Sequence, residues 1–232
     1  MNAPESYSSN IPVIQLGEES RSRFISRTYN HLFSAIVAFT LIEVALFKTG
    51  LAAPMAKAML GTSWLLVLGG FIVVSWLASK VAHTAASKTA QYAALAGFVV
   101  AEAIIFVPLL FVANHYAEGA ITSAAAVTLA AFTGLTLIAF WTRKDFSFLR
   151  GILMWAGILA LIAIAAGVIF GFHLGTFFSV IMVGVAGASI LYSTSNVIHH
   201  YPEDRYVGAA LELFADVALM MWYVLRIFID RR

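Results

Sequence analysis

The sequence predicts an all-α integral membrane protein of seven transmembrane helices. Two observations predict it. First, 61% of the 232 residues are hydrophobic and only 11% are charged, with a mean hydropathy of +0.89. Soluble domains carry about 25% charged residues. So few charges cannot cover a water-facing surface, which makes membrane lipid the first partner of this chain. Second, apolar runs of about 20 residues, the length that crosses a hydrocarbon core, recur seven times.

The runs are His31–Leu51, Ser63–Val81, Gln91–Asn114, Ile121–Thr142, Leu149–Phe170, Thr176–Ile198 and Val207–Ile229. Short connectors rich in Gly, Pro, His and charged residues separate them. Residues 1–20 read as a polar N-terminal tail, and residues 21–232 as a single seven-helix membrane domain. The tail lacks the charged-then-apolar order of a signal peptide.

Lys and Arg set the orientation. With the N-terminus cytoplasmic, the inner segments hold Arg21, Arg23, Arg27, Lys80, Lys88, Arg143, Lys144, Arg150 and Arg205. The outer loops hold only Lys48 and Lys57. Arg226, Arg231 and Arg232 fall outside and count against this choice, but the earlier segments outweigh them.

Composition and motifs exclude several functions. A net charge of +2 gives no basic patch for nucleic acid. The absence of cysteine removes thiolate metal sites and cysteine nucleophiles. The six histidines, His31, His83, His115, His173, His199 and His200, fall mostly at span ends or in loops, with no HExxH spacing. No P-loop, GxSxG elbow or dinucleotide fingerprint occurs. The chain therefore reads as a non-enzyme with no catalytic residue, cofactor or resident metal. Tryptophans such as Trp64, Trp76, Trp141, Trp155 and Trp222 lie near span ends and read as interface anchors.

Ionisable residues inside the spans carry the functional argument, because an isolated charge at mid-bilayer costs about 2.5–3.5 kcal/mol. Four carboxylates qualify: Glu43, Glu102, Glu212 and Asp216. Glu212 and Asp216 stand at i and i+4 and share one helix face. Two carboxylates this close in a low dielectric resist simultaneous ionisation. Such a pair binds a cation when ionised and releases it when protonated. A hydrogen-bonded pair that merely locks two helices together is the structural alternative.

The sixth span offers a matching face, Ser189, Ser193, Asn196 and His200, at helical spacing. An antiparallel hairpin brings that face to the depth of Glu212 and Asp216, where polar groups line a small wet cavity or simply bond helix to helix. Glu102 precedes Pro108, which can kink its helix. Glu43 lies within the first span. Both are candidates to line a route or to accommodate packing. Arg226 stands ten residues from Asp216, about 15 Å along a helix, so it snorkels rather than pairs with it. Asp145 or Ser147 is expected to cap the fifth span.

Several segments resemble the transmembrane Bax inhibitor motif family, the Bax-inhibitor-one family, in its bacterial branch. They are TRKDFSFLRGIL (Thr142–Leu153), AAFTGLTLIAFW (Ala130–Trp141), YNHL at the start of the first span, ILYSTSNVI (Ile190–Ile198), and LELFAD with the apolar run after it. The likeness runs from about Arg21 to Phe228.

The resemblance implies seven helices with one central helix surrounded by the others. It also implies a pH-sensitive calcium leak, and in one bacterial branch the modulation of a membrane protease. In pH-sensing members, aspartates on the sixth and seventh helices share a proton, and an arginine of the second helix latches onto them. Asp216 falls on the seventh-helix aspartate. The sixth-helix position is Ser193, and the second span has no arginine. The two-aspartate sensor does not carry over whole, and Glu212 is the candidate second carboxylate.

The expected function is therefore a pH-sensitive cation leak, with calcium the first candidate ion, along Asp216, Glu212, Ser193, Asn196, Glu102 and Glu43 in the cell inner membrane. The alternative is a non-conducting regulator that binds a membrane protease or another membrane partner.

Overall fold

The computed structural model describes residues 11–231. The tail reading for residues 1–10 and the charge of Arg232 lie outside the described residues. Eight α-helices follow one another: α1 (Glu18–Lys48), α2 (Ala52–Leu60), α3 (Trp64–Thr84), α4 (Lys88–Tyr116), α5 (Ala120–Thr142), α6 (Leu149–Phe170), α7 (Gly175–His199) and α8 (Tyr206–Asp230). All except α2 are long and apolar enough to cross a membrane. The described part of the protein is an all-α membrane bundle.

Local chemistry explains the ends. Glu18 and Glu19 occupy the first turn of α1 and Lys48 its last, each sign matching the helix dipole. Helix α6 stops at Gly171, whose φ of +72° suits a residue without Cβ. Helix α5 stops at Arg143, which takes a left-handed φ of +50° and turns the chain into the TRKDFS loop. Neither Asp145 nor Ser147 caps α6 directly, because the residue before the helix is Phe148. Instead Asp145 Oδ1 accepts from the Ser147 amide at 2.8 Å, a turn one step earlier.

Two elements depart from the sequence expectation. Helix α1 begins at Glu18, well before the apolar run at His31, so it carries its arginines on helical turns. Residues 11–17 are also ordered. The Val13 amide donates to the Tyr201 carbonyl at 2.8 Å, Pro12 bridges to Pro202, and Val13 is fully buried.

Helix α8 packs against α1, α3, α4, α5 and α7, and most of its residues are buried. Helix α6 packs on α7 and α3, and its outward face exposes Ile152, Trp155, Leu159, Ile162 and Ile169 where lipid chains lie. Trp141 is 90% exposed, as an interface anchor requires. Trp64 and Trp222 differ from that expectation. Their rings stack at 5.8 Å and join α3 to α8.

The face bearing the N-terminal end is tied together by polar contacts. Arg205 donates to the Ala85 carbonyl at 2.8 Å, and Lys88 donates to the Asp204 carbonyl. Ser195 Oγ accepts from the Phe146 amide at 2.9 Å. On the opposite face, Thr176 donates to Asp230 at 3.3 Å.

Candidate functional site

Asp216 lies near the middle of α8, the helix that packs most extensively on α7. Ser189 of α7 donates to Asp216 Oδ1 at 2.6 Å. Asp216 Oδ2 is buried and has no protein partner. The i, i+4 reasoning places Glu212 one turn nearer the N-terminal face, and there Glu212 Oε1 meets His83 Nε2 of α3 at 3.3 Å.

Two cavities occupy the space between α6 and α8. The larger, about 700 Å³, reaches toward the C-terminal face and is lined by Trp64, Phe172, His173, Leu174 and Arg226 at that end. The smaller, about 420 Å³, reaches toward the N-terminal face and is lined by Ser79, Arg150, Tyr192, Ser193 and Glu212. The two share Ser75, Phe98, Ala215 and Asp216. Asp216 therefore stands where the cavities meet. Ser75 Oγ, on α3, is also buried there without a partner.

The other site candidates are distributed as follows. Glu102, 6% exposed, lines the larger cavity, as does Arg226 near its mouth. Ser193 is buried and lines the smaller one. Asn196 lines neither, and its carbonyl accepts the His200 and Tyr201 amides where α7 closes. Glu43, also 6% exposed, lies elsewhere, in a pocket of about 390 Å³ among α1, α4, α5 and α8.

Sequence reasoning passed over His83 and Tyr201. The His83 Nδ1 lies 2.7 Å from the Ser79 carbonyl, and its Nε2 lies 2.8 Å from the Tyr201 hydroxyl. Burial first, and then the Glu212 charge, pushes the Tyr201 phenol well above its usual range, so it stays a hydroxyl. The signal for this cluster was present. Ser75, Ser79 and His83 recur every fourth residue, one polar stripe on the largely apolar α3. Among the described residues, no group of three acids or histidines has the spacing to hold a metal ion.

Buried carboxylates facing internal cavities in a seven-span bundle define a membrane protein with an internal polar site. The family described as Inhibitor of apoptosis-promoting Bax1 matches residues 21–232, and the chain belongs to this family. Protein PA2604 of Pseudomonas aeruginosa is 30% identical over 197 residues, covering 82% of this chain and 86% of that protein. Protein LIFEGUARD 4 of Arabidopsis thaliana is 34% identical over 116 residues, 47% of this chain and 46% of its own. Modulator of FtsH protease YccA of Escherichia coli K12 is 34% identical over 79 residues, 33% of this chain and 35% of its own. In another Escherichia coli strain the protein is named Inner membrane protein YccA.

Proposed function

We propose that this chain is a channel-like cation leak of the inner membrane, sensitive to pH, with calcium the favoured ion. One observation carries the reading: Asp216 lines both cavities. A cation arriving in either cavity meets the same carboxylate. The ionised acid attracts it, and the protonated acid does not. Glu212 serves as the second carboxylate one turn away, Ser193 lends a hydroxyl to the inner lining, and Glu102 adds an acid to the larger cavity. Asn196 and Glu43 stand outside this route. Arg150 and Arg226, one in each cavity, oppose cation entry and keep the leak small. The N-terminal face is taken as cytoplasmic, on the distribution of Lys and Arg.

The test is calcium flux into liposomes across pH, for wild type and Asp216→Asn. The reading expects a pH-dependent flux in wild type and a flat, at least tenfold lower flux in the variant. Equal flux in both at every pH overturns it.

A second reading is a non-conducting regulator that binds a membrane protease. The name of the relative YccA, a modulator of FtsH protease, supports it. This reading expects the chain to change the rate of a co-reconstituted membrane protease, and Asp216→Asn to leave that change intact.

A further inference from the structure

Glu43 lies five residues before the end of α1 at Lys48, about 7.5 Å along the helix axis. The residue is 6% exposed, and neither carboxylate oxygen has a partner in the protein. A buried carboxyl without a partner stays neutral, and it ionises at little cost only when a cation arrives to pair with it. Glu43 lines a pocket of about 390 Å³, a size usual for small-molecule sites.

The lining is apolar and aromatic, with Phe39, Phe47, Phe106 and Phe214 among its residues. Asn114 also lines it and is exposed, and the two threonines of the lining are occupied. Thr40 donates to the Ile36 carbonyl at 2.8 Å, and Thr128 faces Met221 Sδ at 3.7 Å. No cationic side chain lines the pocket. Phe106 and Ala218 line both this pocket and the large cavity that holds Asp216, and so stand between them. Val44 of α1 and Leu129 of α5 line the pocket and are 44% and 48% exposed, on the bundle surface that faces lipid.

These features select a ligand chemistry. A bare calcium ion needs about six to eight oxygens, far more than the two of one carboxylate in a mostly apolar wall. A neutral alcohol offers a single donor and no cation against which the carboxyl can ionise. An ammonium group compensates the charge, donates to both oxygens, and is attracted to the faces of aromatic rings. An apolar body attached to it fills the rest of the pocket, and a ligand of that kind arrives dissolved in the bilayer.

We propose that the Glu43 pocket binds an amphiphilic organic amine, with its ammonium against the Glu43 carboxylate and its apolar body among Phe39, Phe106 and Phe214. This site is separate from the route assigned to Asp216 and does not depend on it.

The test uses the full chain in phosphatidylcholine nanodiscs and radiolabelled dodecylamine, with empty nanodiscs as the background. Saturable binding at one amine per chain is expected, weakened at least tenfold in Glu43→Gln. Dodecanol should fail to displace it. Ala125→Phe, which fills the pocket while keeping the carboxylate, should weaken binding as well. Asp216→Asn should bind the amine as wild type does. Undiminished binding in Glu43→Gln, displacement by dodecanol as effective as by the amine, or loss in Asp216→Asn would each overturn the proposal.

Discussion

Ser189 and Asp216 are joined by a 2.6 Å hydrogen bond that spans α7 and α8 at the meeting point of two cavities. The second Asp216 oxygen has no protein partner. The same carboxylate thus anchors two helices through one oxygen and leaves the other buried without a protein partner. A hydrogen bond to a buried carboxylate contributes about 1–3 kcal/mol. Ser189→Ala is expected to lower unfolding free energy in detergent by about that amount. In a double-mutant cycle with Asp216→Ala the two losses should be clearly less than additive, because each removes the same bond. Strict additivity would show that the bond contributes nothing.

His83 touches three groups from three different segments: Ser79 of its own helix, Tyr201 of the α7–α8 connection, and Glu212 of α8. Glu212 Oε2 is buried without a partner, and its Oε1 is the oxygen that meets His83. His83→Ala removes the contacts to Glu212 and to the Tyr201 hydroxyl together, and is expected to destabilise the protein by about 1–3 kcal/mol. Adding Glu212→Gln should recover part of that loss, since a neutral amide has no charge to leave unpaired. Chemical denaturation of the single and double variants measures both quantities.

Close approach of α3 and α8 depends on Gly208. A Cβ there would stand 3.1 Å from His83 Cδ2 and Nε2, and 3.2 Å from the Ala82 carbonyl oxygen. The carbonyl belongs to a packed helix, and the ring is held on two sides. Alanine would gain about 1 kcal/mol in helix propensity and lose about 1–3 kcal/mol to overpacking. Gly208→Ala is expected to be net destabilising, with the His83→Ala background relieving the loss. A stabilised Gly208→Ala protein would show that α3 moves freely at this point.

The seven crossings were legible because each depends on length and hydropathy alone. The α7 stripe of Ser189 and Ser193 was legible for a related reason: its spacing puts both on one face, and one face meets α8. The start of α1 was not, because Arg21, Arg23 and Arg27 end the apolar run while the helix continues beyond it. Helix α2, with Pro54 and Lys57 in nine residues, is too short to show a period. Glu43 and Glu102 look alike in the sequence, each a single acid in an apolar span. Only the packing of α1 and α4 around α8 sends them to different cavities. His83 was obscured by its place at the end of a span, where a histidine ordinarily reaches water.

The loop between α5 and α6 should loosen only in acid. Asp145 Oδ1 accepts from the Ser147 amide at 2.8 Å, and Oδ2 lies 3.0 Å from His200 Nε2 at the end of α7. The Ser147 amide is the main cause that holds the Asp145 carboxyl below its usual range. A carboxylate whose folded value is lowered lends stability above its unfolded value, about pH 4. That stability is lost as pH falls through the lower folded value. Protection of the Ser147 amide from hydrogen exchange, corrected for the intrinsic rate, is therefore expected to stay level from neutral pH to about 4 and to fall below it. Asp145→Ala should remove the protection at every pH and flatten the profile. The side chain is 44% exposed, so the contribution is about 0.2–1 kcal/mol, a several-fold change in exchange rate at most. The Phe146 amide, held by Ser195 rather than by Asp145, should keep its protection throughout. Loss of protection at Ser147 between pH 7 and pH 5 would show that the Asp145 carboxylate does not control the loop.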